Sequence, residues 1–449
     1  MSLALKTDLY QLTMAAGYVN RGLASKIVTC EAFARRLPSQ RRFLVMAGTE
    51  EIRNALCNLR FSKEDIAYLR EVPVLRDSWT SEFAEWLENF CFTGDMWAMA
   101  EGEVVFAGEP LIRITAPLPQ AQLVETFILS ILNHDIKIAS KAARIVLASG
   151  GASLFEFGTR RTHHEAAVSV ARSAYLAGFA GTSNVEAGRR FGIPIAGTMA
   201  HMWVMIYGDE EKAFREFTKC YKNATLLIDT YDTYEGAKRA MKMKGLKAVR
   251  IDSGDLRKDS WIVRHLLDEQ GTGVKIIASG DLEEHSILSL LSKGTPIDGF
   301  GVGTKLAVSS DVPSLGIVYK VVYDETDSRP LMKKAGVKST MPGRKQVFLD
   351  QRNGSWSHLV ALDGAVQASD NLVPLMDCHL RRGKVVQDAP VGLEVARKYC
   401  NANLSSLASL PLEYDLSSLE PGKAVPVKPH ESLLDMYKEA IKESGGARK

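Results

Sequence analysis

Ala248-Val249-Arg250-Ile251-Asp252-Ser253-Gly254-Asp255-Leu256 reads as an apolar strand whose tip carries two acids on either side of a Ser-Gly pair. The same rhythm begins near Ala152. Short apolar runs end in Gly, Ser, Thr or Asp at Ser153-Leu154-Phe155-Glu156-Phe157-Gly158, Ile195-Ala196-Gly197-Thr198, Leu226-Leu227-Ile228-Asp229, Val274-Lys275-Ile276-Ile277-Ala278-Ser279 and Gly299-Phe300-Gly301-Val302-Gly303. Glu210 to Cys220, Thr233 to Lys244, Trp261 to Glu269 and Leu282 to Leu291 intervene with helical spacing of apolar residues. Repeated strand–helix units with polar strand ends predict a parallel α/β arrangement. Polar tips recur after many strands rather than at one reversal point, which favours a barrel over an open sheet.

Outward from this region the pattern changes. Trp79 to Phe90 places Trp79, Phe83, Trp86, Leu87 and Phe90 on one helical face, and Glu103 to Ile114 reads as two short strands turning at Gly108-Glu109-Pro110. A helix is expected from Gln120 onward, after Pro117 and Pro119. Beyond Tyr319 strand signals return, with Lys345 to Leu349, a turn at Asn353-Gly354 and a closing amphipathic helix near Leu433 to Ile441. The expected architecture is a central α/β barrel over 119–322, flanked by a domain built from both chain ends, 1–118 and 323–449.

At 449 residues the chain exceeds what one hydrophobic core usually serves, which agrees with two domains. Hydrophobic residues at 46% and charged residues at 24% are those of a folded globular protein. A net charge of +3 gives no long-range attraction to nucleic acid or membrane. The six cysteines (Cys30, Cys57, Cys91, Cys220, Cys378, Cys400) contain no C-x-x-C pair, so neither a zinc site nor a disulfide framework is expected, as suits a reducing cytosol. No signal peptide and no apolar run of membrane-spanning length is legible, and a soluble cytoplasmic protein is expected.

Several strand tips carry chemistry. Asp252 and Asp255 can hold sugar hydroxyls or a Mg²⁺ carried by a pyrophosphate, since that ion prefers hard oxygen ligands; an ordinary turn with an Asp capping the next helix accounts for them equally well. Ala278-Ser279-Gly280-Asp281 and Gly301-Val302-Gly303-Thr304 are either tight turns or a phosphate cradle, and their place in the order of tips favours the cradle. His201 follows a strand tip, where an imidazole can act as a base or accept a phosphoryl group, although a lone histidine is more often structural. Phe157-Gly158-Thr159-Arg160-Arg161 offers an aromatic face and two guanidiniums able to pair with a carboxylate or phosphate, or else a basic surface turn. His163 and His164 read as solvated rather than metal-binding. Thr7-Asp8-Leu9-Tyr10 reads as the capped start of a helix.

Together these blocks resemble the nicotinate phosphoribosyltransferase family, in order and nearly continuously from Thr7 to about Val322. The resemblance is carried by Thr7 to Met14, Glu156 to Arg161, Gly181-Thr182-Ser183-Asn184-Val185, Gly197 to His201, Ile228 to Thr233, Arg250 to Leu256 and Gly301 to Thr304, and extended by Ser314 to Lys320 and Pro342 to Val347. It implies a type II phosphoribosyltransferase fold, an irregular α/β barrel with a flanking α/β domain formed by the N- and C-terminal parts, assembled as a homodimer. It also implies a reaction of NAD salvage in which nicotinate, phosphoribosyl pyrophosphate, ATP and water give nicotinate mononucleotide, pyrophosphate, ADP and phosphate.

By the same resemblance, His201 is the histidine transiently phosphorylated by ATP. Tyr10, from the partner subunit, and Phe157 flank the pyridine ring, with Arg160 and Arg250 near the base. Asp229 and Asp252 lie near the ribose, pyrophosphate and Mg²⁺. Ser253 and Gly254 belong to the same substrate loop, and Gly280, Asp281, Gly301, Gly303 and Thr304 hold the ribose and its 5-phosphate. Ser183 stands where the related nicotinamide enzymes carry an Asp, which favours nicotinate because an Asp would repel a carboxylate. Met202 departs from the family, in which a small polar residue often follows the histidine. The rivals are a nicotinamide or quinolinate phosphoribosyltransferase and a barrel that binds phosphosugars without turning them over.

Overall fold

The computed structural model describes residues 3–271, 273–333, 340–352, 357–386, 392–407, 419 and 425–446. Its catalytic-looking half is a six-stranded parallel sheet in the order Gly181–Thr182, Ser153–Glu156, Gly299–Val302, Lys275–Ser279, Leu246–Ile251, Ala224–Leu227. A parallel bridge from Thr182 to Ile195 extends the curve beyond its first strand. Parallel strands are covered on both faces and therefore read as continuous apolar runs. Leu226, Leu227, Val249, Ile251, Ile276, Ala278, Phe300 and Val302 are accordingly fully buried.

Between the strands run the helices His164–Leu176, Val185–Phe191, His201–Tyr207, Glu210–Cys220, Thr233–Met241, Leu256–Glu269 and Glu284–Ser292. Asn184, Asp209, Asp232 and Asp255 cap four of them, each side chain accepting from a backbone N–H of the first turn. Such caps satisfy donors that no helix can satisfy internally. The helix expected from Trp261 starts earlier, at Leu256, because Asp255 caps it there.

Both ends of the chain build the flanking domain. Its seven-stranded sheet runs Arg329–Pro330, Ile317–Asp324, Ile27–Ala34, Pro110–Pro117, Asp95–Met99, Met376–Arg381, Lys384–Val385, antiparallel throughout. The last barrel strand ends at Val302, and Ile317–Asp324 already pairs with Ile27–Ala34, so the chain crosses back between 302 and 317. Of the two short strands read around Gly108, Val104–Val105 pairs with Leu44–Val45, and Pro110–Pro117 enters the large sheet. Gly108 makes the turn with φ +87°. A four-stranded sheet includes Lys345–Asp350, the strand expected there; the turn at Asn353-Gly354 lies outside the described residues. The closing helix spans Glu431–Gly446.

Each half has its own hydrophobic core, and the 24-residue helix Glu125–Ala148 lies between them. Fifteen of its residues are buried, including Lys141 and Arg144. Lys141 reaches Glu284 at 2.5 Å and Asp311 at 3.2 Å, while Arg144 meets Glu284 at 3.0 Å. Buried charges are tolerated only when paired in this way, so the network ties the helix to the barrel in one register. No helix among the described residues is long and apolar enough to cross a membrane.

Candidate active site

The tips of the barrel strands enclose a cleft of about 650 Å³. Of the residues singled out from sequence, Phe157, Arg160, Ser183, His201, Arg250, Asp252, Gly280, Asp281, Gly301, Gly303 and Thr304 line it. They come from separate βα units, so only the fold brings them together.

Asp252 sits at its centre. Its backbone N–H donates to Asp229 Oδ2 at 3.0 Å, Ser279 Oγ donates to its Oδ1 at 2.5 Å, and the Arg250 guanidinium lies 3.7 Å away. The neighbouring acid is therefore Asp229, from the adjacent strand, and not Asp255. Asp255 instead accepts from the N–H groups of Arg257 and Lys258, both at 3.1 Å, as a helix cap. The cap reading of this tip thus holds for Asp255 and not for Asp252. Ser253 turns away from the cleft to donate to Asp229 Oδ2 at 2.6 Å, and Gly254 supplies the turn with φ +79°. Asp229 lies beneath the lining rather than in it, with Oδ1 buried and lacking a hydrogen-bond partner among the described residues.

His201 opens the helix His201–Tyr207. Its Nδ1 is 3.1 Å from Thr230 Oγ1 and its Nε2 3.9 Å from Asp252 Oδ2. With Nδ1 engaged by the hydroxyl, Nε2 is the nitrogen turned toward the acid. Arg250 donates to Thr198 Oγ1 at 2.5 Å and keeps Nε buried without a partner among the described residues. Burial pulls its pKa below the usual guanidinium range, opposed by Asp252 and Asp229, with Arg160 adding repulsion; the group stays charged at any ordinary pH. Two arginines that repel each other across a cleft favour an anion between them.

Phe157 forms one wall. A side chain at Gly301 would meet its ring at 2.5 Å, so a glycine is needed where the ring lies. Beneath it, Glu156 is buried and accepts from Thr182 Oγ1 at 2.5 Å and from the Gly158 N–H; burial pushes its pKa up. Ser183 is anchored through its N–H to the Glu156 carbonyl at 2.9 Å, so Phe157 and Ser183 flank the same buried acid. On the opposite side Gly280 adopts φ +99° and Asp281 φ +46°, a left-handed conformation that is costly for a residue with a side chain.

Arg161, read from sequence as the second guanidinium beside Arg160, also lines the cleft. Sequence reasoning assigned no role to Thr198, Thr230 or Ser279, whose hydroxyls touch this constellation. Their only signal was position at a strand end. Tyr10 lies on the helix Leu9–Asn20, half exposed and away from the lining of its own chain's cleft; Asp8 caps that helix by position, while its carboxylate accepts from Thr126 Oγ1 at 2.8 Å. Met202 faces an adjoining apolar groove with Trp203, Ile206, Tyr207, Phe217 and Tyr221 rather than the cleft. His163 and His164 are exposed, His163 accepting from the Glu165 N–H at the start of its helix.

Comparison with known proteins agrees with this geometry. A family model described as the nicotinate phosphoribosyltransferase N-terminal domain matches residues 5–133, and one described as the nicotinate phosphoribosyltransferase family matches residues 152–327. Nicotinate phosphoribosyltransferase pncB2 of Mycobacterium tuberculosis is 40% identical over 436 residues, covering 94% of this chain and 91% of its own length. The nicotinate phosphoribosyltransferase of Bacillus subtilis is 44% identical over 361 residues, covering 77% of this chain and 73% of its own. The crystal structure of human nicotinic acid phosphoribosyltransferase superposes with a TM-score of 0.82 at 24% identity, covering 96% of this chain and 99% of that one, and so shares the fold of a barrel with a flanking α/β domain. By these matches the chain belongs to the nicotinate phosphoribosyltransferase family.

Proposed function

We propose that the cleft joins nicotinate to the ribose 5-phosphate of phosphoribosyl pyrophosphate, forming nicotinate mononucleotide and pyrophosphate for NAD salvage, with ATP hydrolysed through His201. The observation that carries this reading is the convergence of Asp252, His201, the glycine tips and the Arg250/Arg160 pair on one mouth. A nonreacting phosphosugar binder has no use for an imidazole aimed at the same acid that meets the sugar.

The base site is bounded by Phe157, Ser183, Arg160 and Arg250. Ser183 and the two guanidiniums can donate to the nicotinate carboxylate, and an aromatic wall suits the pyridine ring. Gly303 and Thr304, just past the strand end at Val302, would present backbone N–H groups to the 5-phosphate, as barrel loops after the last strands commonly do, while Gly301 leaves the room beside the Phe157 ring. The ring nitrogen of nicotinate attacks C1′ of the ribose, and the bond from C1′ to the pyrophosphate oxygen breaks with its electrons leaving on the pyrophosphate. Positive charge develops on the sugar, where Asp252, fixed by Ser279 and the Asp229 loop, is oriented to oppose it.

Asp229 and Asp252 would hold Mg²⁺. The fit rests on the unpartnered, buried Oδ1 of Asp229 beside Asp252. Among the described residues no group of three or more acidic, His or Cys side chains can hold a metal alone, so the remaining ligands would be pyrophosphate oxygens. When bound, the ion supplies charge neutralisation on the leaving pyrophosphate. His201, with Nδ1 held by Thr230, offers Nε2 to the terminal phosphorus of ATP, whose bond to the bridging oxygen breaks with its electrons leaving on ADP; water later breaks the N–P bond, giving phosphate and the free imidazole.

The homodimer belongs to the same reading. Tyr10 is exposed and does not reach its own cleft, so its expected place against the pyridine ring requires a partner chain. The test is ATP hydrolysis stimulated by nicotinate, with acid-labile phosphate on His201. His201→Ala is expected to abolish both while leaving slow ribosyl transfer at high substrate concentrations. Unchanged ATP hydrolysis in that variant contradicts the assignment.

A further inference from the structure

A second cavity, of about 320 Å³, lies outside the catalytic cleft, among the strand Met376–Arg381, the helix Thr49–Asn58 and the helix Leu393–Ser406. None of its lining residues is shared with the cleft. Its walls are mainly apolar, with Pro374, Leu375, Val395 and Ala396 among them, and Arg53 and His379 add polar edges. Its volume is at the small end of ligand pockets and suits one or two fused rings.

The pairing of Met376–Arg381 with Asp95–Met99 slips between Cys378 and Leu380, which makes His379 the extra residue of a β-bulge. Bulges re-aim side chains and are common beside functional sites. His379 is 3% exposed and borders the cavity, and among the described residues neither ring nitrogen has a well-formed hydrogen-bond partner, the Ala98 backbone giving only a loose contact. A buried polar group left unpaired is unfavourable and calls for a partner from elsewhere. The nearby acids Glu50 and Glu101 do not compete for one, since Arg172 holds them at 2.9 and 2.7 Å. Arg53 also meets Glu50 at 3.7 Å, and with Arg172 it stands against Glu50, Glu101 and Asp377, so the charge balance around the cavity disfavours an anion. Burial, reinforced by Arg53 and opposed by Glu101 and the Ala98 backbone, pushes the His379 pKa down to about 4, and the neutral ring then offers one donor and one acceptor.

We propose that this cavity is a second binding site, for an uncharged nitrogen heterocycle of one or two rings that hydrogen-bonds His379 and packs against Leu375, Val395 and Ala396. Calorimetric titration of the full chain with adenine, nicotinamide and uracil tests it, with benzoate as a charged probe of similar size. At least one heterocycle is expected to bind saturably, and benzoate not to. Ala396→Phe, which fills the cavity, and His379→Leu, which removes the donor and acceptor, are each expected to weaken that binding at least tenfold while turnover in the cleft changes less than twofold. A crystal of the unaltered protein soaked with the binding heterocycle asks the same question without depending on the variants' folding, and density against His379 is the expected result. Absence of saturable binding, preference for benzoate, affinity undiminished in both variants, or density confined to the catalytic cleft each overturns the proposal.

Discussion

At Gly280 the backbone turns with φ +99°, and a methyl group there would lie 2.1 Å from the carbonyl oxygen of Asp252. That contact is with backbone, so it can be relieved only by moving the tip that carries the central acid. Gly280→Ala is therefore expected to lower kcat/KM for phosphoribosyl pyrophosphate by at least about tenfold, a loss of roughly 1.4 kcal/mol of transition-state stabilisation. Steady-state kinetics with unchanged kcat/KM would show that the tip does not touch the sugar. Glycines of this kind are legible in sequence because few other residues reach positive φ. The difference between Asp252 and Asp255 is not. Three residues apart on one loop, they are told apart only by the turn at Gly254, which points one carboxylate at Ser279 and the other at the next helix.

Among the elements, this division makes the helix Leu256–Glu269 a useful control. Asp255→Ala removes two bonds to its first turn and is expected to cost about 1 kcal/mol of stability, as lost N-caps generally do. The melting temperature should fall while kcat/KM stays within about threefold, and a collapse of kcat/KM without destabilisation would return Asp255 to the reacting centre. Helices such as Glu210–Cys220 were legible to the residue, because an Asp cap and apolar residues at helical spacing act locally. The large flanking sheet was not. Its neighbours Pro110–Pro117 and Asp95–Met99 are close in sequence, but Ile317–Asp324 and Met376–Arg381 join from far along the chain. Strand partners chosen by tertiary packing leave no mark on local pattern.

For the whole molecule, the two cores and the charged helix between them explain why sites at many strand tips keep one geometry. The convergence was foreshadowed by the order of polar tips. The hydroxyls of Thr198, Thr230 and Ser279, which orient Arg250, His201 and Asp252, were not, since a hydroxyl at a strand end looks like any other until its partner is known. Tyr10 offers a test of the assembly proposed above. Tyr10→Ala and His201→Ala chains, each expected to be deficient in nicotinate-stimulated ATP hydrolysis, should regain up to about a quarter of wild-type activity when co-refolded in equal amounts, because random pairing leaves half the molecules with one intact cleft of two. No recovery, under conditions where mixed dimers form, contradicts a shared site.

The central claim is that this mouth recognises an aromatic monocarboxylate through Ser183 and the Arg160/Arg250 pair. Nicotinate, nicotinamide and quinolinate offered in parallel with phosphoribosyl pyrophosphate, with and without ATP, test it directly by product chromatography. Nicotinate mononucleotide is expected to dominate, with more formed when ATP is present. Faster turnover of nicotinamide or quinolinate, or no nucleotide from any of the three, contradicts it.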